Sequence, residues 1–493
     1  MQQNDIYERA RLSRDVRFDG QFFVGVKTTG IYCRPICPAV PPKSRNVMFY
    51  PSAAAAGEAG FRPCLRCRPE CAPGSPAWSG TSTTVRRGLR LIANGALDDG
   101  DIEQLADRLG VTSRHLRRLF TKHLGASPLA VAHTQRLHFA KRLIDQTNLN
   151  MSDIASVSGF GSTRRFNDSF KNTYGRPPRE LRRSGELASE SNRVLTVRLP
   201  YRKPFDWPAI LAFMDGRATP GCEQVLDGTY FRTVSISGEQ GVIECRLDER
   251  ADSLCLSIHG ISTQPLFEVV QRCRELFDLD APVADIAEAF TADKKLGSLL
   301  KKSQGIRVPG AWDGFELTIR AILGQQVSVK AATTLAGRIA QRYGESFDMP
   351  ELLRVASPGL NLNRLFPSPQ KLARARFNNV GLVRNRAETI RRVANAVVSG
   401  ELGFDTAQDP DTFCRSLITL RGIGDWTAQY VAMRALKNPD AFPTADLGLL
   451  KAFDQAGKGR ISAADLHRRA EAWRPWRAYA AMLLWSSALN SGG

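Results

Sequence analysis

"LRGIGDWTAQY", residues 420–430, decides how the larger half of this chain is read. Gly422 and Gly424 sit two apart between apolar flanks, and glycine admits the backbone angles of a very tight turn. Such a turn aims backbone N–H groups at a phosphate, so the stretch predicts a helix–hairpin–helix, a device for holding DNA. Non-catalytic DNA binders use the same turn, so the motif alone does not make an enzyme. About twenty residues on, "FPTADLGLL" places Asp446 after a Pro-initiated turn. Asp is a good helix N-cap, and that bland role stands beside any chemical one.

A hairpin followed by one Asp at this distance resembles the glycosylase superfamily of endonuclease III. The resemblance implies that Asp446 faces the sugar of a flipped nucleotide, stabilises the oxocarbenium-like cation as the base departs and helps position water. Lyase members carry a lysine two residues after the last hairpin glycine, where this chain has Trp426. Without that amine no Schiff base forms, so the expectation is a monofunctional glycosylase that hydrolyses the N-glycosidic bond. No four-cysteine cluster lies near the C-terminus, so no iron–sulfur centre is expected.

Three further stretches extend the likeness: "LPYRKPFDWPAILAFMDGRATPG" (199–221), "FELTIRAILGQQVSV" (315–329) and "RPWRAYAAMLLW" (474–485). Over about 193–490 the chain resembles AlkA-type 3-methyladenine DNA glycosylases II. That implies a small sheet domain followed by an all-helical one, with Trp426, Tyr430 and Trp485 lining an aromatic pocket. Stacked rings favour cationic alkylated bases, and extrusion is easiest at damaged sites. Ordinary core packing is the alternative for the three aromatics. A wedge residue that fills the vacated gap follows the Gln of the family's Gly-Gln pair, and that position is Gln326.

The residues between agree. Alternating stretches at 194–207, 230–236, 242–249 and 253–260 predict a small sheet, and from about 266 the apolar spacing is helical. Domain limits of 193–305 and 306–493 follow.

Upstream, "DIEQLADRLGVTSRHLRRLFTKHLGASP" (101–128) has helix–turn–helix form. Ile102, Leu105, Ala106 and Leu109 line one face, Gly110 permits the turn and Ser113 is expected to cap the next helix, which carries Arg114, His115, Arg117 and Arg118. A second copy, "MSDIASVSGFGSTRRFNDSFKNTYGRPP" (151–178), turns at Gly159 or Gly161. Ser162, Thr163, Arg164, Arg165 and Asn167 open its second helix. A basic helical bundle is the bland reading of one such unit. The pair, joined by a helix over 128–147, resembles an AraC-type DNA-binding domain over 84–183. That implies two recognition helices in successive major grooves, promoter binding and transcription activation, with RNA polymerase as a partner. The domain is set at 79–185.

"GIYCRPICPAV" (30–40) and "FRPCLRC" (61–67) hold Cys33, Cys37, Cys64 and Cys67. Two close pairs bridged by one loop suit a tetrahedral zinc ion bound only by sulfur; Cys71 fits the spacing less well. Most such sites are structural, yet four thiolates around one dication leave excess negative charge and a more nucleophilic sulfur. The segments "DGQFFVGVKTTGIYCRPICPAVPPKSRNVMFY" (19–50) and "GFRPCLRCRPE" (60–70) resemble the zinc-binding domain of the Ada family. The resemblance implies that Cys33 accepts a methyl group, once, from a DNA methylphosphotriester, with Cys37, Cys64 and Cys67 as the other ligands. Thioether formation removes a negative charge and strengthens phosphate binding. The domain is set at 1–78. Cys222, Cys245, Cys255, Cys273 and Cys414 are expected to be buried small side chains.

Bulk properties fit this assembly. The 493 residues are too many for one core. The net charge is +19 and the pI about 9.8, which points to a polyanionic partner. Residues 79–185 are the most basic stretch, with 18 Lys and Arg against 9 Asp and Glu. Pro-, Gly- and Ser-rich or polar stretches at 69–84 and 182–193 read as linkers. No apolar run approaches a membrane span and the N-terminus lacks a signal-peptide core, so a cytoplasmic protein with no membrane partner is expected. The fold class is multidomain α+β. The overall expectation is a zinc-dependent sensor and regulator of alkylation damage, fused to a glycosylase and partnered by double-stranded DNA. No Pro-Cys-His-Arg motif is present, so repair of O6-alkylguanine is not expected. Two alternatives stay open: a regulator whose glycosylase-like half binds DNA without catalysis, and a glycosylase with a purely structural zinc.

Overall fold

The computed structural model describes residues 3–72, 83–98, 100–182, 194–405, 408–453 and 461–490. The expected linkers fall largely outside them.

The N-terminal part is a four-stranded sheet in the order Val47–Tyr50, Phe23–Val26, Ile31–Cys33, Arg62–Pro63. The first two pairings are antiparallel and the last is parallel. Helix Ala53–Glu58 closes it, capped by Ser52, whose hydroxyl accepts the Ala55 N–H (3.0 Å). That hydroxyl also donates to the Leu124 carbonyl (2.7 Å), tying the sheet to the next domain.

Two helix–turn–helix units follow, Ile102–Arg108 with Ser113–Leu124 and Met151–Val157 with Thr163–Tyr174, joined by helix Pro128–Gln146. Polar caps start each helix, with Asp101, Ser127, Asn150 and Ser162 accepting N–H groups of the first turn. The cap of Ser113–Leu124 is Thr112, not Ser113. Thr112 is extended and its hydroxyl accepts the His115 N–H, so Ser113 is already inside the helix. Gly110 (φ +69°) and Gly159 (φ +75°) make the turns, whereas Gly161 is not left-handed.

The sheet expected after residue 193 has five antiparallel strands, ordered Val194–Pro200, Ser253–His259, Glu239–Asp248, Thr229–Ile236, Glu223–Leu226. It shares a core with the second helix–turn–helix unit, in which Phe139 meets Phe267 edge to face at 4.8 Å. Cys222, Cys245, Cys255, Cys273 and Cys414 are all buried.

Helices Val283–Phe290 and Lys294–Lys302 bury Ile286, Phe290 and Leu296 in the large helical core. At its centre runs helix Gly314–Leu323, buried almost all round. The hairpin joins Pro410–Ile418 to Asp425–Arg434, and Asp446 starts Leu447–Lys451. An ion network stitches sheet to helices: Arg232 donates to Glu223 and Glu316, and Arg320 reaches the same two carboxylates. Among the described residues no helix is long and apolar enough to cross a membrane.

Candidate functional site

The hairpin is built as its glycines require. Gly422 has φ +100°, and a Cβ there would lie 2.0 Å from Thr389 Oγ1. Gly424 is the extended residue that opens helix Asp425–Arg434, with nothing within 4 Å of a Cβ. Gln325 braces the turn, its amide donating to the Gly422 carbonyl and to Thr427 Oγ1, both at 3.1 Å. Arg386 in turn holds the Gln325 carbonyl (2.6 Å). Next to it Gln326 is exposed, with φ +57°, between Gly314–Leu323 and Val329–Tyr343. A non-glycine residue in that region is held by its surroundings, here by the anchored Gln325.

Asp446 is a helix cap, Oδ1 accepting the Leu449 N–H at 3.0 Å, and it is also more than that. The Trp485 indole donates to Oδ1 and the Trp426 indole to Oδ2, each at 2.8 Å. Three N–H groups from two helices and a cap therefore fix one half-buried carboxylate. Trp426 stacks on Tyr430 with centroids 5.3 Å apart and planes 7° apart, and Tyr430 meets Trp485 at 6.3 Å. The structure thus brings all four residues expected from the sequence to one place.

It adds three that the sequence reading missed. Arg434 donates to the Tyr430 hydroxyl (2.7 Å) and is held by the Pro309 and Gly310 carbonyls. Phe213, from the sheet domain, lies under both Arg217 (3.9 Å) and Arg434 (4.9 Å). Burial opposes ionisation of the Tyr430 phenol, but the Arg434 and Arg217 cations outweigh it and bring its pKa below the ordinary tyrosine value. The matching signal was the "FMDGRA" segment already inside the quoted likeness.

A second centre lies near the N-terminus. Parallel pairing of Ile31–Cys33 with Arg62–Pro63 sets Cys33 beside Cys64. Tight turns, Cys37 N–H to the Arg34 carbonyl and Arg68 N–H to the Cys64 carbonyl, fold Cys37 and Cys67 back towards them. The four sulfurs lie within 4.8 Å of one another. Four sulfurs around a zinc ion at ~2.3 Å sit about 3.8 Å apart, so the set fits the metal. Cys64 and Cys67 are buried, whereas Cys33 and Cys37 are partly exposed. Cys71 lies outside this group, and burial, then Glu70, raises its thiol pKa.

Residues flanking these cysteines reach the other domains. The Tyr32 hydroxyl pairs with His138 Nε2 at 3.1 Å. Arg68 binds Glu70 and, on helix Pro128–Gln146, Asp145. The Arg34 N–H points at Cys67 Sγ (3.3 Å) and its guanidinium grips Asp19, whose carbonyl accepts from Arg202 of the sheet domain (3.1 Å).

In the helix–turn–helix units Arg114, Arg117 and Arg118 are exposed, and half-buried His115 pairs with Arg118 at 3.0 Å. Arg164, Arg165 and Asn167 are exposed, and Ser162 serves as cap. Leu116, Phe120, Phe166 and Phe170 are buried on the opposite faces.

Comparison with known proteins agrees part by part. The family model for the metal binding domain of Ada matches residues 7–70. A helix-turn-helix domain model matches 105–184, the AlkA N-terminal domain 196–313 and the HhH-GPD superfamily of base excision DNA repair proteins 319–478. A protein of Mycobacterium tuberculosis (strain CDC 1551 / Oshkosh), named probable bifunctional transcriptional activator/DNA repair enzyme AlkA, is 40% identical over 485 residues, 97% of this chain and 95% of its own length. DNA-3-methyladenine glycosylase 2 of Escherichia coli (strain K12) is 33% identical over 291 residues, 58% of this chain and 95% of its own. The solved 3-methyladenine DNA-glycosylase of Archaeoglobus fulgidus aligns with a TM-score of 0.52 at 21% identity, covering 60% of this chain and 99% of that one, a likeness of fold.

Proposed function

We propose, for a chain that belongs to the family of bifunctional transcriptional activator/DNA repair enzymes joining Ada-type and AlkA-type parts, the following division of chemistry. The protein binds DNA, carries one zinc site of four cysteines and has a DNA glycosylase domain. The glycosylase is monofunctional and hydrolyses the bond between deoxyribose and an alkylated base such as 3-methyladenine. The flipped base enters beside Trp426, Tyr430 and Trp485, with Phe213 as a further wall. Asp446 stabilises the cationic sugar and orients the attacking water. The observation that carries this reading is the carboxylate fixed by two indole N–H groups beside a cluster of aromatic rings. Trp426 in place of a lysine supports hydrolysis over lyase chemistry. Gly422 and Gly424 hold a phosphate, and Gln326, exposed on its anchored turn, fills the gap left by the base.

Zinc held by Cys33, Cys37, Cys64 and Cys67 would supply a centre with excess negative charge and an activated sulfur. Cys33 Sγ takes the methyl group of a neutral methylphosphotriester. An S–C bond forms, the C–O bond breaks and a phosphodiester anion leaves. Partial exposure favours Cys33 and Cys37 over buried Cys64 and Cys67, and the Arg34 N–H quiets Cys67. The family likeness selects Cys33. Methyl transfer then strengthens promoter binding through Arg114, His115, Arg117, Arg118, Ser162, Arg164, Arg165 and Asn167. RNA polymerase is the partner of the activated state, and the cytoplasm, with its DNA, is the place of work.

The test uses zinc-loaded full-length protein. Duplexes bearing 3-methyladenine are expected to release the base without a borohydride-trapped adduct. Duplexes bearing methylphosphotriesters are expected to add one methyl group, mapped to Cys33 by peptide mass. Equal inactivity of wild type and Asp446→Asn on the first substrate would leave a DNA-binding regulator without catalysis. An unmethylated Cys33 with DNA bound would leave the zinc a scaffold.

A further inference from the structure

One unassigned cavity draws its walls from every part of the chain. Where the four parts meet lies a cavity of about 290 Å³. Ala54 and Glu70 of the zinc domain face it, as do Arg90, Gln135 and Arg142 of the helix–turn–helix domain. The sheet domain adds Phe267 and Arg274, and the glycosylase domain Met433 and Lys437. Its volume is at the lower end of small-molecule pockets.

The charges around it are not evenly matched. Arg274 is paired with Asp280. Arg90 donates to the Leu436 and Lys437 carbonyls at 2.7 and 2.9 Å, and Glu275 and Asp278 act on both Arg90 and Lys437. Glu70 is engaged by Arg68 and Lys141. Among the described residues Arg142 forms no ion pair, and Cys71, Asp280 and Glu70 act on it only from a distance. Its Nε is buried without a hydrogen bond, and the Phe139 ring lies 5.6 Å from its guanidinium carbon. On the same helix the Gln135 side-chain oxygen is buried and unsatisfied. Burial, reinforced by Arg274, pushes Arg142 down to about 10, which still leaves it charged at neutral pH. A guanidinium cannot shed its proton to escape burial as a lysine can, so one half-buried against this cavity favours an anion.

We propose that this cavity is a binding site for a small organic anion, a carboxylate or phosphate monoester on Arg142 with an apolar body against Phe267 and Met433. Because every domain supplies a wall, the bound anion clamps the four-part arrangement.

The test is calorimetric titration of zinc-loaded full-length protein with phenyl phosphate and with benzoate, benzyl alcohol being the neutral control. One saturable site per chain for an anion and none for the alcohol is expected. The tighter of the two anions identifies the head group. Arg142→Met is expected to weaken binding about tenfold or more, the effect of losing a charge-assisted contact, and Arg142→Lys less. Ala93→Phe, which fills the cavity without touching a charge, is expected to abolish binding in a folded protein, and serves if Arg142→Met does not fold. Absence of saturable binding to wild type overturns the proposal, as does affinity unchanged in both Arg142→Met and Ala93→Phe.

Discussion

Trp426 and Trp485, from different helices, are bridged by one carboxylate: each indole donates to its own oxygen of Asp446 at 2.8 Å. Asparagine offers one acceptor oxygen where the two indoles need two. It is nevertheless as good a helix cap as aspartate. Asp446→Asn is therefore expected to keep the helix cap and lose at most about 1–3 kcal/mol for the indole left without an acceptor, while base excision falls by about 10²-fold or more, the scale of losing a charge aimed at the transition state. Asp446→Ala is expected to lose activity and, in addition, about 1 kcal/mol of stability with the cap. Single-turnover excision beside denaturant melts separates the two effects.

The hairpin glycines are expected to fail in different ways. Gly422→Ala puts a Cβ against Thr389 at a left-handed backbone position and is expected to cost about 2–3 kcal/mol of stability. Gly424→Ala meets open space at an ordinary φ, so the fold is expected to hold. If a phosphate sits on this turn, the added methyl group weakens duplex binding all the same. Affinity for an abasic duplex, measured beside the melting curve, reads the contrast.

Arg232 serves two buried acids at once. Burial drives Glu316 upward, while Arg320 and Arg232 hold Glu223 down against its own burial. Arg232→Met strands both carboxylates between sheet and helices and is expected to cost about 3–5 kcal/mol. Urea unfolding at neutral pH is the check, and a loss below 1 kcal/mol would mean that Arg320 alone suffices.

His138 makes the seam between zinc domain and central helix sensitive to acid. Burial first, then Arg142, pushes its pKa down to about 3 from the ordinary 6.5. The folded state thus binds fewer protons than the unfolded one between those values. Its contribution is full above pH 6.5 and is lost as pH falls towards 3, with a slope of at most about 1.4 kcal/mol per pH unit. Protonation also leaves His138 Nε2 able only to donate towards the Tyr32 hydroxyl. His138→Gln is expected to flatten the wild-type difference in unfolding free energy between pH 7 and pH 5 at saturating zinc.

What could be read in advance was whatever a short span encodes by itself. Cys33, Cys37, Cys64 and Cys67 are held by two strand ends and two turns, so their spacing announces the cluster. Gly422, Gly424 and Asp446 are similarly local. Phe213 reaches Arg434, and Arg217 acts on Tyr430, from the sheet domain far upstream, through a packing that no periodicity describes. The choice of Thr112 over Ser113 as cap hangs on one pair of backbone angles between two hydroxyl residues equally suited to the task. Arg142 reads as one more basic helix residue until three other domains close over it.

The residues flanking the zinc ligands carry a last implication. Tyr32, Arg34 and Arg68 sit one position from Cys33 and Cys67, and between them they grip His138, Asp19 with Arg202, and Asp145. The metal therefore sets the spacing of the pegs that join this domain to its neighbours. A chain translated in a zinc-starved cell would keep its glycosylase pocket but lose the fit of that joint. Its unclasped surfaces would be open to cellular proteases, so metal supply would govern how long each molecule survives as well as what it senses.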